Sequence, residues 1–259
     1  MKQIKLLFLL ASASVTGAFA QSNGLTDMSQ SRYAKMANTG IDAVHWTNGF
    51  WGERFNVFSG TSLQSMWNTW NTPEVSHGFR NFEIAAGVCK GEHWGPPFHD
   101  GDMYKWMEGV ASVYAVNKDP ELDKLMDNFI ACVVKAQRAD GYIHTPVVIE
   151  ELNKGIDSHT LADSQQQTVI GTKVGSEDEK GAFANRLNFE TYNLGHLMMA
   201  GIVHHRATGK TTLLDAAVKA TDFLCHFYET ASAELARNAI CPSHYMGVVE
   251  ICLLYTSDA

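Results

Sequence analysis

The stretch FHDGDMYKWMEG sets Asp100, Asp102 and Glu108 beside Tyr104 and Trp106, and a fourth acid, Glu190, follows later in the chain. Carboxylates next to aromatic faces suit either a helix cap or a sugar site. Two of them across a glycosidic bond can do hydrolysis, one as acid and the other as base or nucleophile. Nothing in the spacing pairs these four. Asp100 or Asp102 can equally cap a helix, and Glu108 can equally belong to a solvated face. His196, between Gly195 and Leu197 on an otherwise apolar helix, is either a ligand contact or a satisfied core histidine. His244 stands at a helix start, exposed to whatever the neighbouring loops bind, or serves there as an ordinary cap.

Other chemistries fit less well. ATGKTTLL contains Gly-Lys-Thr, but a phosphate loop needs an earlier glycine where His204 stands, and it should follow a strand. Cys241 and His244 have zinc-like spacing but lack a second pair, and His93, His204 and His205 have no partners at metal spacing. The five cysteines are widely spaced with no CxxC. Cys132 and Cys225 fall on apolar helix faces and are expected as buried free thiols.

The elements that must position these residues are helical. Met103, Trp106, Met107, Val110 and Tyr114 form one apolar stripe at helical spacing, and Trp106 is expected in the core. That helix should end near Asn117. Asp119-Pro120-Glu121 then restarts one as N-cap, first-turn proline and dipole-matched acid. Its buried face is Leu122, Leu125, Met126, Phe129 and Val133. So short a join makes the two helices antiparallel neighbours. A second hairpin follows, ending its first helix at Gly209 and continuing with Leu214, Ala217, Val218, Thr221, Leu224 and Tyr228 on one face. SHYMGVVEI starts another helix. The long connection from Tyr142 to Asn185 holds a β-like run, YIHTPVVI, and a polar tract, DSHTLADSQQQT; so long a loop is usually functional. Upstream, VHWTNGFWGERF reads as aromatic and irregular.

The formal net charge of −8 leaves no basic face for nucleic acid or an anionic membrane. Residues 1–20 carry Lys2 and Lys5, a short apolar run and a small-x-small site before Gln21. That is a secretory signal pattern, so a secreted or periplasmic protein without a membrane partner is expected. Residues 21–49 read as a linker or entry segment. Residues 252–259, CLLYTSDA, match the translation of a sequencing-library adaptor and are expected to break the last helix and to be foreign to the natural protein.

NFEIAAG, FHDGDMYKWMEGVA, AQRADGYIHT, FETYNLGHLMMAGIVHHRATGKTTLLDAAVKATDFL and PSHYMGVVE, in this order and spacing, resemble the N-terminal half of glycoside hydrolase family 127, the β-L-arabinofuranosidase-like enzymes. The resemblance covers about residues 50–251. It implies an all-α fold, an (α/α)6 toroid incomplete in this chain. It also implies exo-acting retaining hydrolysis of a terminal L-arabinofuranose or related sugar of a plant-type glycan. A zinc-held cysteine nucleophile and a separate acid/base glutamate come with it, both expected downstream of this chain, so zinc belongs to the full-length enzyme and not to this part. Carried over by position, His196 and His244 contact the sugar, Asp100 and Asp102 form the Asp-x-Asp helix start, and Gln64 matches a sugar-contacting glutamine. Two departures stand out: Asn193-Leu194 precede Gly195-His196 where the family often has Cys-Ala, and His144-Thr145 replace Asn-Thr. The alternative reading is a non-catalytic glycan-binding toroid. In either case His196 and His244 are expected to approach each other at one end of the helical array.

Overall fold

The structure is a computed structural model that describes residues 24–28, 31–36, 38–156, 183, 185–237 and 241–256. The signal-like segment and the polar tract DSHTLADSQQQT lie outside the described residues. Among those described, every regular element is helical: α1 Gly49–Val57, α2 Leu63–Trp70, α3 Gly78–Ala85, α4 His99–Asn117, α5 Pro120–Ala136, α6 Thr145–Asn153, α7 Glu190–Thr208, α8 Thr212–Thr230, α9 Ala233–Ala236 and α10 His244–Thr256. None is long and apolar enough to cross a membrane.

The two expected hairpins are α4–α5 and α7–α8. Asp119 caps α5 through its side chain, which accepts from Glu121 N at 2.9 Å, with Pro120 in the first turn. Between α4 and α5, Lys118 takes the left-handed conformation (φ 54°) and sends its ammonium to Ala207 O in the last turn of α7, 3.0 Å away. A cation there satisfies an orphan carbonyl and suits the negative end of the helix dipole.

Near their starts, α4 and α7 meet where Gly101 N donates to Asn193 Oδ1 at 2.9 Å; near their ends they meet at Lys118 and Ala207. The two helices therefore run parallel. α10 continues the layer, with Gly195 against His244 at the start and Arg206 Nη2 to Glu250 Oε2 at 3.1 Å further along. α5 and α8 pack behind as an outer layer. This is the inner-and-outer helix arrangement of an (α/α) toroid. The α4 stripe is core as expected: Met103, Trp106, Met107 and Val110 are buried and Tyr114 is partly so. Trp106 stacks on Trp67 at 5.0 Å.

The seam between α7 and α10 is unusually close. A Cβ on Gly195 would lie 2.3 Å from His244 N, and one on Gly247 would lie 2.5 Å from Met198 Cβ. Only glycine permits that approach. A strap from the chain start covers the far part of the seam. Asp27 N donates to Glu250 Oε2 at 3.0 Å, and Arg206 Nη1 to Leu25 O at 2.9 Å.

Four local expectations need correction. YIHTPVVI is not extended beyond His144: α6 starts at Thr145, helped by Pro146 in its first turn and by Val148 and Ile149, which bury. NGFWGERF is helical as α1, joined to α2 by a π turn over Phe58–Ser62. The last helix does not break at Cys252; it runs to Thr256 and buries Leu254. Cys132 and Cys225 are free thiols, but Cys225 is exposed on the outer helix rather than buried, and Cys132 is half-buried.

Candidate active site

The parallel inner helices bring the starts of α4, α7 and α10 to one end of the array. Asp100, in the first turn of α4, is buried there. It does not cap its own helix, whose N-cap Phe98 has no side-chain partner. Instead its carboxylate caps α6: Thr145 N donates to Oδ2 at 2.7 Å and Thr145 Oγ1 to Oδ1 at 2.6 Å. His144 Nδ1 lies 3.5 Å from the same Oδ2. Burial alone would raise the Asp100 pKa, but the His144 and Thr145 interactions outweigh it and hold the carboxyl below its usual range. Asp102 does not cap either; half-exposed, it pairs with Lys105 at 2.8 Å.

His144 is fully buried, its Nδ1 3.3 Å from Asn193 Nδ2. Asn193 also donates to Pro97 O at 2.9 Å. The two places where the sequence departs from the family pattern are thus in contact with each other. Next to them Glu190 is buried, accepting from Tyr142 Oη at 2.5 Å and from Phe183 N at 2.7 Å. Burial pushes its pKa up, against the pull of His144, Tyr142 and Phe183. Asp100 and Glu190 therefore sit in one polar network with carboxyl pKa values driven in opposite directions. Both are tied to backbone amides, which fixes the helix starts.

His196 faces the groove between α4 and α7. Its Nδ1 is 3.8 Å from Glu108 Oε1, and its ring meets Tyr192 edge-on at 4.6 Å. Glu108 is thus no simple solvated acid: its Oε1 is buried with no hydrogen-bond partner. Lys105 donates to Tyr192 Oη and covers the ring.

His244 is only 1% exposed, contrary to the expectation of an open histidine. Tyr228 from α8 stacks on it at 5.8 Å and shares a 2.9 Å hydrogen bond with its Nε2, while Tyr245 packs at 4.3 Å. Burial lowers the His244 pKa, and burial with Tyr245 pushes Tyr228 up to about 12, so both rings are neutral near pH 7. One proton serves the hydrogen bond between them, and His244 Nδ1 is left without a partner. His196 and His244 belong to segments that touch through Gly195. Gln64 is not brought to them. It is exposed on α2, bonded to Asn68, in a separate cleft of about 460 Å3 with Trp67, Trp106 and Leu122.

Sequence reasoning missed His144, Tyr142, Tyr228, Tyr192 and Lys105 as parts of these networks. The one signal was the Asn193 and His144 departures, which are now seen to be neighbours. Lys210 of the Gly-Lys-Thr motif is held by Asp123 at 2.7 Å and Asp127 at 2.8 Å, a hairpin clamp rather than a phosphate site. Among the described residues no group of three or more His, Cys, Asp or Glu side chains could hold a metal ion, so they do not fit the zinc centre of the resemblance.

Residues 43–257 match the family described as Beta-L-arabinofuranosidase, GH127 catalytic domain. A non-reducing end beta-L-arabinofuranosidase of Bifidobacterium longum subsp. longum is 32% identical over 149 residues, which is 58% of this chain and 19% of that protein. A solved glycoside hydrolase is 68% identical with a TM-score of 0.61, over 91% of this chain and 27% of its own. A GH127 beta-L-arabinofuranosidase from Geobacillus stearothermophilus T6 is 28% identical with a TM-score of 0.60, over 83% of this chain and 32% of its own. The chain therefore spans less than a third of the length of the relatives it matches.

Proposed function

The chain belongs to the GH127 β-L-arabinofuranosidase family, and on that premise we propose that it is the N-terminal part of an exported, exo-acting, retaining glycoside hydrolase that removes terminal L-arabinofuranose or a related sugar from plant-type glycans. The observation that supports this most is the gathering of the α4, α7 and α10 starts at one end, with the His196 and His244 segments in contact through Gly195. In this reading His196, backed by Glu108 and Tyr192, orients sugar hydroxyls, and His244, buried against Tyr228, holds the start of α10 beside it. Asp100 acts by fixing α6 rather than by touching sugar, while the neighbouring Gly101 N–H ties the start of α4 to α7.

The acid/base glutamate, the nucleophilic cysteine and the zinc belong, in this proposal, to parts of the full-length protein that the chain does not include. Cleaving an acetal needs both a proton on the leaving oxygen and a nucleophile, and the acid alone contributes ~10²–10⁴ in rate. Binding groups replace neither, so this polypeptide by itself hydrolyses no glycoside. The test has two arms. Extending the reading frame must reveal a Glu-x-Cys pair and a later cysteine cluster, and the extended protein with zinc must turn over an aryl β-L-arabinofuranoside. An extension without those residues leaves the glycan-binding toroid as the function. Turnover by residues 21–251 alone places the catalytic centre within this chain and refutes the assignment.

A further inference from the structure

Just before α4 the chain forms an open cleft of about 410 Å3 lined by Pro73, Glu74, His77, Glu92, His93 and Trp94. Trp94 is 50% exposed, yet its backbone is fixed from both sides: its carbonyl accepts from Asn81 Nδ2 at 3.0 Å and its N–H donates to Asn81 Oδ1 at 3.3 Å. Asn81 itself is fully buried, so the indole stands on a rigid mount. His77 meets the indole edge-on at 4.9 Å. His77 Nδ1 and His93 Nε2 are buried atoms without a hydrogen-bond partner. The core needs no half-exposed tryptophan, and two unmatched imidazole nitrogens beside it are costly unless a ligand completes them.

The chemistry of the cleft selects its occupant. An immobilised indole offers a flat apolar face for the C–H face of a sugar ring. Two carboxylates accept hydroxyl hydrogens, and the imidazoles supply the unmatched ring nitrogens. No lysine or arginine lines the cleft, so Glu74 and Glu92 repel a carboxylate on the ligand. The position also fits. His93 lies within electrostatic reach of Asp100, His144 and His99, at the end where the inner helices start.

Resting on the glycosidase reading above, we propose that the Trp94 cleft is a subsite for a neutral sugar unit of the glycan beyond the one cleaved, and that it rejects uronic acids. Calorimetric titration of the protein with a neutral arabino-oligosaccharide, and with an oligogalacturonate of equal length, tests this without needing turnover. The neutral chain should bind, Trp94→Ala should weaken it about tenfold, and Trp94→Phe should restore part of the loss. The oligogalacturonate should bind only when Glu74→Gln and Glu92→Gln are combined. Unchanged affinity in Trp94→Ala, no binding of the neutral chain, or equal binding of the uronate by the unaltered protein overturns the proposal. In the extended protein with zinc, hydrolysis of an aryl β-L-arabinofuranoside, which carries no further sugar, should keep its kcat and KM in Trp94→Ala. Absence of that hydrolysis in the extended, zinc-supplied protein without the Trp94 change sinks the glycosidase reading alone, and the titration still decides whether the cleft binds sugar.

Discussion

Replacing Gly195 with alanine places a methyl group 2.3 Å from His244 N, 2.4 Å from Ser243 C and 2.7 Å from Ser243 O. Carbon makes ordinary contacts at about 3.5–4.0 Å, so the shortfall is about 1 Å. The atoms met are main chain and cannot rotate away. Two effects compete. Alanine gains about 1 kcal/mol of helix propensity over glycine in α7. Overpacking costs about 1–3 kcal/mol, and more where two elements must separate. The same seam is locked at Gly247 against Met198, so α10 cannot slide to relieve the overlap. The cost therefore sits at the top of its range, and the net loss is about 2 kcal/mol. For a chain of this size that lowers Tm by about 4–8 °C. Thermal unfolding followed by circular dichroism reads it, with Gly60→Ala as the control because nothing lies within 4 Å of a Cβ there. The control should match or slightly exceed the unaltered protein. A Gly195→Ala protein as stable as the unaltered one would refute the backbone contact between α7 and α10.

Asp100→Asn keeps the shape but weakens the cap on α6, and should cost about 2–3 kcal/mol by denaturant unfolding. Because the Asp100 pKa is lowered on folding, its stabilisation is present above the ordinary carboxylate pKa and fades as pH falls through the lowered one, so the gap between variant and parent should close in acid. His204, fully buried with both ring nitrogens unpartnered, has its pKa pushed down to about 4, chiefly by burial. The unfolded chain then binds more protons between pH ~6.5 and that value, so stability is full above ~6.5 and falls by up to ~1.4 kcal/mol per unit below it. His204→Leu should flatten that slope in unfolding measured across the window; an unchanged slope assigns it to other groups. Glu250→Ala leaves Arg206, whose side chain is 3% exposed, as a buried unpaired cation. The loss of about 3 kcal/mol should free residues 24–28 and speed limited proteolysis there by roughly 100-fold.

The long hairpins were legible because their signals are local. Asp119, Pro120 and Gly209 sit at the turns, and the stripe from Met103 to Val110 repeats at helical spacing. α6 was not legible because its cap comes from Asp100 on another helix, and a β-branched run without a local cap looks extended. The site divided in the same way. The approach of the Gly195 and His244 segments could be expected from their places at two helix starts. The closure of His244 could not, since its cover comes partly from Tyr228 on α8. Glu108 looked like a surface acid along its own helix, and only the parallel run of α7 shows what it faces.

The strap at Asp27 carries a consequence for the birth of the protein. Its partner Glu250 lies 223 residues further along the chain. At about 5–20 residues per second of synthesis, the strap waits roughly 10–45 s before that carboxylate exists. The segment that leaves the ribosome early is therefore among the last to dock. During the wait Arg206 has already been made and has no carboxylate to enter the interior with, so α7 cannot finish burying that end of its surface until α10 arrives. A ribosome that stalls before residue 250 leaves a nascent chain whose hairpins are formed and whose last seam is still open.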